Sequence, residues 1–229
     1  QGALVIMAGG RAEDISRVTP VFLHYARRVT RMGDTGAGQV TKVCNQLIVA
    51  ANSLLIAETV ALARDLLLVE QSGVRAHFSQ ITSARGAEMI ATAQARGLPV
   101  TADVAMYQLI LTDEALLGFS SLYHVQPPLR TAADREGLRQ AVKAGVIGAI
   151  ASHHQPHEAD AKLAPFGETE PGISSAEILL PLAMTLVDDG LLDLPTLLAR
   201  LTSGPAAALQ LSAGRLQAGQ PADLVLFDP

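Results

Sequence analysis

Three of the chain's six histidines fall in one short stretch, Ala151-Ser152-His153-His154-Gln155-Pro156-His157. Imidazole binds divalent metals and moves protons near neutral pH, so such a cluster suits metal-assisted hydrolysis or acid–base work. The apolar run before it, Val146-Ile147-Gly148-Ala149-Ile150, reads as a buried strand. An α/β barrel places its chemistry where strands end. No carboxylate stands at this strand end to serve as a general base. By its composition alone the cluster reads more readily as a polar loop whose histidines bond to backbone.

The elements that must carry these residues are legible as periods and breaks. Leu4-Val5-Ile6-Met7, followed by Gly9-Gly10, reads as a short strand and turn. Glu13 to Arg28 reads as a helix broken near Pro20. Gly33 to Gly38 is a turn, and Gln39 to Gln71 carries an uninterrupted helical period that Gly73 ends. At 1.5 Å per residue that helix is about 50 Å long. Strands are expected over Val74–Ile81, Val100–Val104 and Val146–Ser152. Helices are expected over Ala84–Arg96, Asp113–Phe119, Asp134–Ala144, Ser175–Asp188 and Leu194–Thr202. Leu122 to Val125 leads into an extended Gln126-Pro127-Pro128-Leu129-Arg130 loop, and the tail reads as a small β ribbon over 214–216 and 222–227. This alternation implies parallel βαβ units and an α/β fold.

The bulk properties narrow the function. The chain has 229 residues, of which 49% are hydrophobic, so a sizeable core can form. A net charge of −5 and only 3% aromatic residues argue against nucleic acid as the main partner. The single cysteine, Cys44, excludes an internal disulfide, fits a reducing cytoplasmic compartment and reads as packing on an apolar helix face. The longest uncharged run, Val43 to Ala57, is too polar and short to span a bilayer. A start without Met and an end on a strand-like run suggest a fragment.

From about Ala57 onward the sequence resembles the dihydroorotase family, a branch of the amidohydrolase barrels. The resemblance is carried by Ala57-Glu58-Thr59-Val60-Ala61-Leu62-Ala63-Arg64-Asp65-Leu66 and by His77-Phe78-Ser79-Gln80-Ile81-Thr82-Ser83. It continues through Thr112-Asp113-Glu114, Val125-Gln126-Pro127-Pro128-Leu129-Arg130, His153-His154-Gln155-Pro156-His157 and Ala222-Asp223-Leu224-Val225. It implies half of a (βα)8 barrel, strands five to eight, over 57–213, and a truncated C-terminal β segment over 214–229. It also implies zinc chemistry on a cyclic amide in active members. Carried over by position, a zinc-ligand histidine falls on Gln80, a second on Tyr107, and the catalytic Asp on His153. The first-strand His-x-His has no counterpart. Neutral Gln and Tyr are poor zinc ligands. His77, His154 and His157 remain, with Gln126 and Arg130 where the family contacts substrate. The pattern is similar to the non-catalytic dihydroorotase-like proteins. It implies a chain without zinc that acts as a structural partner of the aspartate transcarbamoylase catalytic subunit in pyrimidine biosynthesis. The alternative is an active zinc-dependent dihydroorotase using His153, His154 and His157.

Residues 1–56 carry a different resemblance. Gly33-Asp34-Thr35-Gly36-Ala37-Gly38-Gln39-Val40-Thr41-Lys42-Val43-Cys44-Asn45-Gln46 is similar to the β-hydroxyacid dehydrogenases, as is Leu4-Val5-Ile6-Met7-Ala8-Gly9-Gly10. That resemblance implies the end of a Rossmann domain and the start of its long helix. Lys42 would then be the catalytic lysine, Asn45 a substrate contact and NAD(P) the cofactor. The Gly-x-Gly-x-x-Gly loop that seats a pyrophosphate is missing. Without the resemblance, Lys42 reads as a solvated lysine, Gly36 and Gly38 as a helix-entry turn, and Tyr107 as packing. His77 then reads as a strand-end histidine, and Arg130 as a partner for Asp134. Together the two resemblances describe a chimera joined in the long helix. The open edges of a half-barrel suggest a homo-oligomer.

Overall fold

The computed structural model describes residues 4–219 and 223–227, with backbone alone for 44, 45 and 47–56. Asn45 and Cys44 therefore lie outside the described side chains, and Ala222 outside the described residues. The chain forms two compact units, Gln1–Ala61 and Leu62–Pro229.

The first unit is a parallel strand–helix–strand. Strand β1 (Val5–Gly9) pairs in parallel with β2 (Arg28–Gly33), and helix α1 (Ala12–Phe22) connects them. Glu13 and Asp14 in the first turn of α1 oppose the positive end of its dipole. The sequence period suggested a helix reaching Arg28. Instead α1 stops two residues after Pro20, and Arg28 opens β2. Pro20 removes one backbone donor, and the parallel ladder with β1 takes up the chain beyond. The long helix α2 (Ala37–Ser72) starts hard against β1: a Cβ on Gly38 would lie 2.5 Å from the Met7 carbonyl oxygen. Gly38 is accounted for by this close approach.

The second unit is built on a three-stranded parallel sheet. Its order is β3 (Ala76–Phe78), β4 (Val100–Ala105), β5 (Ala149–Ala151), with β4 central. Helices α3 (Ala84–Ala95), α4 (Ala132–Ala144), α5 (Leu179–Asp188), α6 (Leu194–Leu201) and α7 (Ser203–Ala208) complete it. Ser83 caps α3 by accepting from the Gly86 N–H, and Thr131 caps α4 by accepting from the Asp134 N–H. Asp134 in turn accepts from the Ala84 N–H at 3.1 Å, tying the two helix starts together. Ile90, Val104, Leu138, Val142, Ile147, Leu186 and Leu197 form the core between sheet and helices, all essentially without solvent contact.

The residue pattern gave three strands here and the half-barrel resemblance implied four; three are present among the described residues. The stretch before the Pro-Pro pair, 122–125, is a 3₁₀ turn and coil, while β5 pairs directly with β4. Two prolines without N–H groups cannot extend a ladder. The Gln108 side-chain amide instead takes the carbonyls of Pro127 and Pro128 at 3.3 and 3.2 Å. Val125 and Leu129 pack with Ala105 and Tyr107 in a second, smaller core. The tail over 214–216 and 223–227 is not in strands, so the expected ribbon does not form among the described residues. No helix among the described residues is long and apolar enough to cross a membrane.

Candidate functional site

The ends of the three parallel strands converge on a carboxylate that the sequence reading passed over. Asp103, in β4 and 8% exposed, accepts from His77 Nε2 at 2.9 Å and Ser79 Oγ at 2.9 Å through one oxygen. Its other oxygen accepts from the Gln80 backbone N–H at 2.7 Å. His77 Nδ1 meets Thr101 Oγ1 at 2.8 Å. Both imidazole nitrogens are thus satisfied by side chains of β4. A buried carboxylate is costly unless its lone pairs find donors, and this one has three. An acidic residue in the otherwise uncharged strand Val100-Thr101-Ala102-Asp103-Val104 was the signal that could have found it.

Gln80 and His153 flank this carboxylate, and both are held at positive φ, +60° and +48°. Left-handed backbone at non-glycine residues persists only where the surroundings hold it. At Gln80 the hold is the N–H bond to Asp103. His153 Nδ1 lies 2.6 Å from the Tyr107 hydroxyl, and Tyr107 is 5% exposed. Burial pushes the Tyr107 phenol up to about 12, so it stays protonated and donates to Nδ1. Burial lowers the His153 imidazole below its ordinary range, and the charge of Asp103 opposes this as the smaller effect. Gln80 thus bonds to Asp103 through its backbone, while Tyr107 pairs with His153, which feels the charge of Asp103.

The remaining residues point elsewhere. His154 Nδ1 accepts from the Ser175 and Ala176 N–H groups, both at 3.0 Å. His157 Nε2 donates to the Pro171 carbonyl at 3.1 Å. Those two histidines fasten the 171–176 segment against the strand end, which also carries a bridge between His154 and Ile173. Arg130 is buried and its Nε donates to Thr82 Oγ1 at 3.3 Å; Gln126 is exposed. Lys42 belongs to the other unit, is exposed and donates to Gln46 Oε1 at 3.1 Å.

A zinc ion here would compete with bonds already made. Tyr107 is a protonated hydroxyl engaged with His153, the Asp103 oxygens are taken, and His154 Nδ1 is occupied. Among the described residues no three His, Cys, Asp or Glu side chains are grouped to hold a metal ion.

The lowered His153 has a consequence for stability. The unfolded imidazole, near 6.5, binds its proton more tightly than the folded one. Its contribution is therefore complete above that pH and is lost as pH falls through the folded value. His124 is shifted the same way by burial, with Lys162 adding to it. The melting temperature is expected to be level from about pH 8 to 7 and to fall from about pH 6.5 downward. In His153→Asn that fall should be shallower, and an identical slope in thermal melts would refute the assignment.

Comparison with known proteins places this architecture. The profile of the Amidohydrolase family matches residues 37–229, beginning inside the stretch that resembles dehydrogenases. The "Dihydroorotase-like protein" of Pseudomonas aeruginosa is 83% identical over 173 residues, 76% of this chain and 41% of that protein. The "Dihydroorotase" of Syntrophotalea carbinolica is 41% identical over 174 residues, again 76% and 41%. The chain thus spans about two fifths of the length of these curated relatives. Among solved structures, the L-hydantoinase (dihydropyrimidinase) of Arthrobacter aurescens shares the fold, with a TM-score of 0.70 at 22% identity. That likeness covers 95% of this chain and 53% of the other. The inactive dihydroorotase-like domain of the Chaetomium thermophilum CAD-like multifunctional protein gives a TM-score of 0.51 at 28% identity, covering 66% and 41%. With a family profile running through most of its length and a parallel α/β unit of matching architecture, the chain belongs to the amidohydrolase family.

Proposed function

We propose that this chain is a dihydroorotase-like part of the pyrimidine pathway that has no hydrolase activity and acts by association. Its partner is the aspartate transcarbamoylase catalytic subunit. The observation that carries this reading is the self-satisfied polar cluster at the strand ends. Asp103 accepts from His77, Ser79 and the Gln80 N–H, His153 Nδ1 is taken by the Tyr107 hydroxyl, and His154 Nδ1 accepts two backbone N–H groups. A metal hydrolase keeps ligands and one coordination position open for water. Gln80, Tyr107 and His153 supply neither an anionic bridge nor a free imidazole pair. The dihydroorotase-like relatives, and the inactive dihydroorotase-like domain of the Chaetomium thermophilum protein, support the same direction.

In this reading residues 57–213 are half of a barrel and 214–229 its returning segment. Residues 1–56 are the dehydrogenase-like stretch, and the protein is a cytoplasmic homo-oligomer without zinc or NAD(P). The test is to mix the purified chain with aspartate transcarbamoylase catalytic subunit on a sizing column. Zinc content and dihydroorotate hydrolysis are assayed on the same sample. Co-migration, metal below stoichiometry and no turnover above buffer are expected. Stoichiometric zinc with hydrolysis would replace this reading by an active dihydroorotase, and NAD(P)H binding in a fluorescence titration would favour the dehydrogenase.

A further inference from the structure

Two segments that follow β4 and β5 carry four strongly exposed large apolar side chains. Leu117 is 81% exposed, Phe119 62%, Leu122 66% and Leu163 79%. The segments are joined. The rings of Phe119 and Phe166 meet edge to face with centroids 6.3 Å apart, and Ser121 Oγ donates to the Lys162 carbonyl at 2.7 Å. The His124 ring also packs on Phe166, at 4.7 Å between ring centroids. Phe119 is held out at φ +49°. A surface that places an aromatic ring in solvent by a left-handed backbone forgoes burial that a relaxed loop could recover. Contiguous exposed apolar patches mark interaction sites.

Charge decides the occupant. The same two segments carry Asp113, Glu114, Glu158, Asp160, Glu168 and Glu170, all exposed. The one lysine among them, Lys162, spends its ammonium on the carbonyls of Glu170 and Gly172 at 2.6 and 2.9 Å. An apolar platform in an acidic rim repels nucleic acid and anionic lipid, and is complementary to an apolar protein surface ringed by lysine and arginine.

We propose that the platform of Leu117, Phe119, Leu122, Leu163 and Phe166 is a docking face for a protein surface of that basic-rimmed, apolar kind. For the identity of the natural partner the proposal rests on the transcarbamoylase reading; for the chemistry of the surface it does not. The double variant Leu117→Ser/Leu163→Ser alters two side chains that are almost wholly in solvent, so folding is retained, as circular dichroism melts will show. Two ligands are titrated against it: a synthetic amphipathic helix of leucine and lysine, and the transcarbamoylase catalytic subunit. A leucine–glutamate helix is the control. The leucine–lysine helix should bind the parent chain, more weakly as salt is raised, and about tenfold more weakly to the variant. The glutamate helix should not bind. Glu114→Lys/Asp160→Lys should remove the salt dependence. If the lysine helix fails to bind, or binds parent and variant alike, the platform is refuted. If the transcarbamoylase binds parent and variant alike, the platform is refuted as that partner's seat. Binding of the lysine helix but not of the transcarbamoylase upholds the platform and refutes the partner.

Discussion

Asp103→Ala should destabilise the second unit by about 3 kcal/mol, a fall in melting temperature of about 6–12 °C. The carboxylate is buried and receives three donors, from His77, Ser79 and the Gln80 backbone. A hydrogen bond to a charged group contributes about 1.5–3 kcal/mol, but the three losses do not add. His77 and Ser79 are partly open to water and recover some of their share. The Gln80 N–H is the one that pins a residue at φ +60°, so its loss also releases a strained backbone. Asp103→Asn separates charge from shape. The amide oxygen still accepts from Gln80 N–H, and His77 can shift its proton to Nδ1, which faces the Thr101 hydroxyl. Less than half the loss is expected for Asn. A melting temperature within about 2 °C of the parent for Asp103→Ala would show that this cluster does not stabilise the strand ends.

How much of this could be read without coordinates differs from element to element. Helices α2, α4 and α6 were legible because their apolar residues repeat at the helical period and their ends carry glycine or a capping residue. Strand β2 was not, because Arg28-Val29-Thr30-Arg31-Met32-Gly33 has no clean alternation; its strand character comes from pairing with β1. The tail failed in the opposite sense. Leu224-Val225-Leu226 has strand-like composition, yet no ladder receives it among the described residues. At the site, the histidine run follows β5, but its members part: His153 meets the Tyr107 hydroxyl. His154 and His157 turn to the 171–176 segment, a choice made by backbone geometry at φ +48° that no spacing rule contains. Thr82 and Ser83 belong to the resemblance with dihydroorotases, and their roles here are structural, as a partner for Arg130 and a cap for α3.

Gly204→Ala should cost about 3 kcal/mol, with a melting shift as large as that of Asp103→Ala, although it lies in no polar cluster. A Cβ on Gly204 would collide with the Gly148 carbonyl oxygen and lie 2.9 Å from that of Ala199. Neither obstacle is the end of a flexible side chain, so backbone must move. Gly148 N–H donates to the Ala102 carbonyl at 3.1 Å, the bond by which the chain enters β5 beside β4. Displacing Gly148 therefore strains the sheet just before β5, the strand that leads to His153. Gly148→Ala is the control, since a Cβ there meets nothing within 4 Å and its stability should change by under about 1 kcal/mol. The consequence should reach the site. The Tyr107 hydroxyl and His153 Nδ1 lie on β4's and β5's continuations, and their 2.6 Å contact requires the two strands in register. In Gly204→Ala the His153 ring resonances should move toward those of an exposed imidazole, while Gly148→Ala leaves them in place. Unchanged resonances together with an unchanged melting temperature would mean that α7 does not set the position of β5.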